Sequence, residues 1–150
     1  MTIIKGEIIQ FTEFAVIMNA ALWVLQSIIA IVFIYSGFNK SILSERQLVD
    51  KGQTGVEGLP LLLIRFIGIS EILGAVGIIL PLLLNILPVL TTISAICLAG
   101  IMIPAGIIHY KRTEYKNILT NVILFVVCLF IVYGRTFLIC QKHLSFAELQ

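Results

Sequence analysis

Leu59-Pro-Leu-Leu-Leu-Ile-Arg65-Phe-Ile-Gly-Ile-Ser-Glu71-Ile-Leu-Gly-Ala-Val-Gly-Ile-Ile-Leu-Pro81 is an almost unbroken apolar run that carries two opposite charges. If the run crosses a bilayer as a helix, Glu71 falls near the midplane and Arg65 about a quarter of the way in. A charge at the centre of a spanning helix costs roughly 2.5–3.5 kcal/mol on insertion-based scales. A chain carries that burden only where the charges are paired or line a polar cavity. The pair therefore points to a polar site inside a membrane protein.

The rest of the chain fits that setting. Hydrophobic residues make up 59% of it and charged residues 12%, with a mean hydropathy of +1.09. Soluble domains average roughly 25% charged. A chain of 150 residues leaves room for a single transmembrane domain. A net charge of +2 without a dense basic cluster argues against nucleic acid and leaves the lipid bilayer as the surrounding partner. Cys97, Cys128 and Cys140 form no CxxC and no ligand spacing, and read as isolated thiols filling apolar gaps. Rise counting nevertheless puts Cys97 and Cys128 at comparable depth on spans three and four, so contact between them is possible. His109 has no His or Cys at metal-ligand spacing, so no metal site is expected.

A spanning helix needs about 20 mostly apolar residues. Residues 14–38, 59–80, 88–109 and 117–139 qualify, which predicts an all-α polytopic membrane four-helix bundle with a soluble-looking loop at 41–58. Thr12 and Glu13 suit the start of the first span as cap and dipole partner. Pro60 suits the first turn of the second. No charge occurs from Ile72 to Ile108, too long for one crossing, so Pro81, Asn85 and Pro88 place a tight apolar hairpin there. Pro104 predicts a kink in the third span. The apolar part of the fourth closes at Gly134 and Arg135.

Lys5, Glu7 and Glu13 precede the first span without a small-residue cleavage site, the pattern of an uncleaved signal anchor. Met18 stands directly before a typical span opening and is a candidate start. Lys40, Arg46 and Lys51 in one loop, and Lys111, Arg112 and Lys116 in another, outnumber Lys5, Arg135 and Lys142 opposite. The positive-inside rule then makes both basic loops cytoplasmic. Tyr35, Tyr110 and Tyr115 form one expected aromatic belt, and Trp23, Tyr133 and Phe137 the other.

Antiparallel threading brings Asn39, Lys40, Arg65, His109 and Glu114 to one depth, with Glu71 one to two turns deeper. These six are the candidate ligand-binding residues; Arg135 falls at the far side. All but Asn39 also have a plainer reading. Lys40, Glu114 and Tyr115 serve equally as interfacial anchors, His109 as a headgroup contact, and Arg65 as a snorkelling cation. Glu71 could be a structural hydrogen-bonding knot, but polar contacts between membrane helices contribute only about 0.6–2 kcal/mol, which makes it expensive glue. Gly68, Glu71, Gly74 and Ala75 share a helical face narrow enough for a neighbouring helix to come close.

The runs Ala21-Leu-Trp-Val-Leu-Gln26, Ser36-Gly-Phe-Asn-Lys40 and Arg65-Phe-Ile-Gly-Ile-Ser-Glu71-Ile-Leu-Gly74 resemble the DoxX-like family of small four-span bacterial membrane proteins. Gly77–Pro81, His109 with Glu114-Tyr115, and Tyr133-Gly-Arg135 extend the resemblance over residues 18–137. It implies a four-helix bundle in a bacterial cytoplasmic membrane. It also implies kinship with subunits of thiosulfate:quinone oxidoreductase or of thiol and oxidative-stress complexes. Position by position it picks out Lys40, Arg65, Glu71, His109, Glu114 and Arg135. No self-sufficient catalytic constellation is visible, since the chain lacks a nucleophile–base pair, a metal set and a nucleotide loop.

The resulting expectation is an auxiliary subunit of a quinone- or thiol-linked redox system, with a polar pocket for a small lipid-soluble or anionic molecule. No intrinsic cofactor is expected, and a quinone is the one the resemblance allows. Expected partners are a membrane redox subunit or a second copy of the chain. The rival expectation is a small transporter or an assembly factor for another membrane protein.

Overall fold

The computed structural model of the chain describes the backbone of residues 2–147 and the side chains of residues 12–141. The side chains of Lys5 and Lys142, which entered the charge count above, lie outside the described set. Four long helices carry the fold: α1 (Thr2–Ile42), α3 (Leu61–Leu83), α4 (Val89–Lys111) and α5 (Tyr115–Ala147). Each is long and apolar enough to cross a membrane, within Thr12–Ile42, Leu61–Leu83, Val89–Lys111 and Tyr115–Gln141. The protein is an all-α integral membrane protein. A short helix, α2 (Glu45–Asp50), and a 3-10 turn (Thr54–Val56) form a strap between α1 and α3.

Local chemistry explains most boundaries. Ser44 caps α2 in a capping box with Gln47, whose side chain returns to the Ser44 amide. Pro60 occupies the position just before α3, where its fixed φ and missing donor cost nothing. At the other end, residues 84–88 make the hairpin between α3 and α4. Asn85 (φ 54°) and Leu87 (φ 48°) both adopt left-handed backbone there, a conformation natural to Asn and strained for Leu.

Three local expectations are corrected. The α1 helix runs through Thr12 and Glu13, so neither caps its start. Pro81 does not end α3, which continues to Leu83. It removes a single amide donor only two residues from the helix end, a loss the last turn tolerates. Nor does α5 stop at Gly134 and Arg135. A Cβ at Gly134 would lie 2.8 Å from the Leu22 side chain, so this glycine admits α1 rather than ending α5.

The helices pack in a ring, with α1 against α3, α3 against α4, α4 against α5 and α5 back against α1. Leu22, Ile29 and Phe33 of α1 meet Ala75 and Ile78 of α3, Leu98 of α4, and Cys128 and Ile131 of α5 in the core. Lipid tails are as apolar as these side chains, so close packing rather than water exclusion holds the ring together. The outward faces are correspondingly greasy, with Leu62, Phe66, Ile31 and Tyr133 among many exposed apolar residues. A second, smaller cluster of Leu48, Val56 and Ile64 fastens the strap to α3.

The closest crossing is between α1 and α3. A Cβ at Gly37 would stand 2.6 Å from the Gly68 carbonyl oxygen, and one at Gly68 would stand 2.8 Å from the Gly37 oxygen. Backbone meets backbone there, which any other residue type would prevent.

Candidate functional site

One turn beyond each of those glycines, on the same two helices, stand Lys40 and Glu71. The Lys40 ammonium donates to Glu71 Oε1 at 2.5 Å and to Ser36 Oγ at 3.0 Å. The Glu71 side chain is 1% exposed and that of Lys40 13%. Glu71 Oε2, also buried, has no hydrogen-bond partner among the described residues. A buried carboxylate oxygen without a donor is costly, and its presence asks for an explanation.

Both residues line a cavity of about 330 Å³, bounded by all four long helices and the strap. Its walls are mainly apolar, with Phe33, Ile67 and Met102 among them, and Gln53, His109 and Asn121 add polarity. Gln53 Oε1 is a second buried acceptor without a partner among the described residues.

His109 is buried at the end of α4 and also lines the cavity. Its Nδ1 lies 2.7 Å from Glu114 Oε2. A carboxylate only accepts, so Nδ1 carries the proton and the other ring nitrogen is the one left for a neutral imidazole to accept with. That nitrogen faces the strap, where a Cβ on Gly55 would approach it to 3.0 Å. Glu114 Oε2 also accepts from Thr54 Oγ1 at 2.5 Å and from Asn117 Nδ2 at 2.8 Å. The Thr54, Asn117 and His109 hydrogen bonds hold the Glu114 carboxyl down at about 2, against an ordinary 4.5. Arg112 ties the same corner to the strap through the Glu57 carboxylate and carbonyl.

The six sequence candidates thus divide. Lys40, Glu71 and His109 line the cavity, and Glu114 orients His109 from behind. Arg65 does not join them. Its guanidinium donates to the Lys40 carbonyl at 2.7 Å and the Ile42 carbonyl at 3.0 Å, completing the unsatisfied C-terminal carbonyls of α1. Its six-residue separation from Glu71 points the two side chains in different directions. Asn39 is buried but is not part of the cavity wall. Cys97 is exposed and Cys128 buried, and both are free thiols.

Sequence reasoning missed a second polar cluster. Arg135 is 3% exposed, and its Nε donates to Gln26 Oε1 at 2.7 Å while Nη1 donates to Asn19 Oδ1 at 2.6 Å. Gln26 Nε2 in turn donates to the Ile78 carbonyl at 2.5 Å, linking α1, α3 and α5. The Trp23 ring lies 5.2 Å below the guanidinium, so its role is a cation–π contact rather than a belt position alone. The signal was present: Gln26 is a polar residue in the middle of an apolar span.

A sequence model of the DoxX-like family matches residues 24–131, most of the four-span region. The chain belongs to the DoxX-like family. No curated protein and no solved structure matches it significantly. The matched region of this DoxX-like protein contains every cavity-lining residue named above, whereas Asn19, Trp23 and Arg135 fall outside it.

Proposed function

We propose that this DoxX-like protein binds the polar head of a small membrane-dissolved molecule between Glu71 and His109, as an auxiliary subunit of a membrane redox system. The observation that carries the reading is Glu71, which lines a largely apolar cavity and whose buried Oε2 has no donor among the described residues. A volume of about 330 Å³ is at the lower end for ligand pockets, enough for a headgroup.

Charge favours a neutral ligand over an anionic one. Lys40 is already neutralised by Glu71, and Arg65 is committed to backbone carbonyls. Among the polar side chains of the wall, Glu71 and Gln53 each carry a buried oxygen without a donor among the described residues, and His109 keeps the nitrogen not bonded to Glu114. A head bearing hydroxyl donors complements them. A quinol head fits this set, held by Glu71 and His109, and when bound it would supply electrons and protons to a partner. In such a pairing Glu71 would take a hydroxyl proton into hydrogen bonding. His109, kept in one tautomer by Glu114, would accept at its other nitrogen.

Purified protein is expected to retain a small amphiphile in native mass spectrometry. Glu71→Gln replaces a charged acceptor and should lower that retention about tenfold while the protein stays folded. Unchanged retention in Glu71→Gln sinks the reading. Transport finds less support, because Ile29, Ile78 and Leu98 fill the bundle beyond Glu71. Liposome flux at the background level of empty vesicles is the expected result.

A further inference from the structure

We propose that the ligand is a tailed amphiphile that enters from the side, between α4 and α5, and leaves its hydrocarbon chain in a groove on the outer face of that seam. This rests on the cavity reading above and names the ligand's class and route.

A second hollow, of about 360 Å³, lies along the outer face of α4 and α5. Ile103, Ile107, Val122 and Phe125 are among its walls, so it offers a hydrocarbon chain surroundings like those of the bilayer. It shares two residues with the inner cavity, Met102 of α4 and Asn121 of α5. A single layer of side chains therefore separates the lipid-facing groove from the chamber of Glu71.

The seam has open space beside Gly106. Gly106 is one turn from Met102 on the same face, and a Cβ built on it meets nothing within 4 Å. The contrast with Gly37 and Gly68 is direct, since those glycines exist to admit a neighbouring backbone. Met102 is unbranched and can swing among rotamers without opening a helix. Asn121, tied by its Nδ2 to the Asn117 carbonyl at 3.0 Å, places a polar side chain where the outer groove meets the inner cavity.

The tail adds little affinity, because it leaves one hydrocarbon phase for another. It decides which molecules fit instead. A head seated against Glu71 has its attached chain threaded past Met102 and Asn121, and a blocked seam excludes the tailed molecule while sparing the bare head.

The test uses the full chain in lipid nanodiscs with two redox-inert probes, resorcinol and dodecylresorcinol. Wild type is expected to bind both. Gly106→Phe should weaken dodecylresorcinol by about tenfold or more and leave resorcinol unchanged. Gly100→Phe, equally open at its Cβ but outside both hollows, should match wild type for both probes. Wild-type affinity of Gly106→Phe for dodecylresorcinol overturns the side entrance while the cavity stands. An equal loss in Gly100→Phe overturns it as well. Failure of wild type to bind either probe overturns the cavity reading and this inference with it.

Discussion

Lys40 and Glu71 near one end of the bundle, and Arg135, Gln26 and Asn19 towards the other, place comparable polarity inside an apolar ring. The two groups resolve it differently. Around Arg135 each partner faces another, three helices are joined, and an aromatic ring takes the remaining face of the cation. Around Glu71, a residue of the cavity lining, one carboxylate oxygen is spent on Lys40 while the other is buried without a donor among the described residues. Burial alone does not separate a fastening from a site, since Arg135 and Gln26 are as fully enclosed as Glu71. The leftover acceptor does.

That contrast can be broken by mutation. The largest effect is expected for Lys40→Met, which strands a buried carboxylate and should cost about 3–5 kcal/mol in detergent unfolding. The double variant Lys40→Met/Glu71→Gln should recover much of it, and a double variant no better than the single one would contradict the pairing. Arg135→Met should cost about 3 kcal/mol, because two amide oxygens lose charged donors, with ligand content per folded molecule unchanged. A parallel fall in ligand content would erase the distinction between the two ends. Glu71→Gln should reverse the pattern, with most of the ligand gone and a smaller stability loss of about 2 kcal/mol, because the amide oxygen can still accept from the partly exposed Lys40 ammonium.

The smallest effect is an acid limb set by Glu114. Its folded-state carboxyl is depressed from 4.5 to about 2, so its contribution to stability is fully present above about pH 4.5. That contribution fades as pH falls towards 2. Unfolding midpoints followed across this window should drop for wild type and flatten for Glu114→Gln. A wild-type limb persisting in Glu114→Gln would assign it to another carboxyl.

The class of fold was legible because hydropathy and span length are read directly from the chain. Glu71, Lys40 and His109 stood out for the same reason, as polar residues where water is absent. The partners of those residues did not. Arg65 and Lys40 were equal candidates to meet Glu71, and helical phase together with the nearness of the α1 carbonyls decided between them. The Arg135 cluster unites residues more than a hundred positions apart, a relation that no local spacing encodes. Thr54 and Asn117 looked like ordinary loop and helix-start residues until the strap folded over the α4–α5 turn.

The glycine crossing of α1 and α3 bears on how this protein can vary. A Cβ on Gly37 would press on Glu71 Cβ at 3.1 Å, and one on Gly68 would press on Lys40 Cβ at 2.8 Å. Each glycine thus abuts the opposite member of the ion pair. A lineage could not enlarge either one without moving an acid or its counter-ion, so these four positions are expected to be inherited as a block, drifting together or not at all.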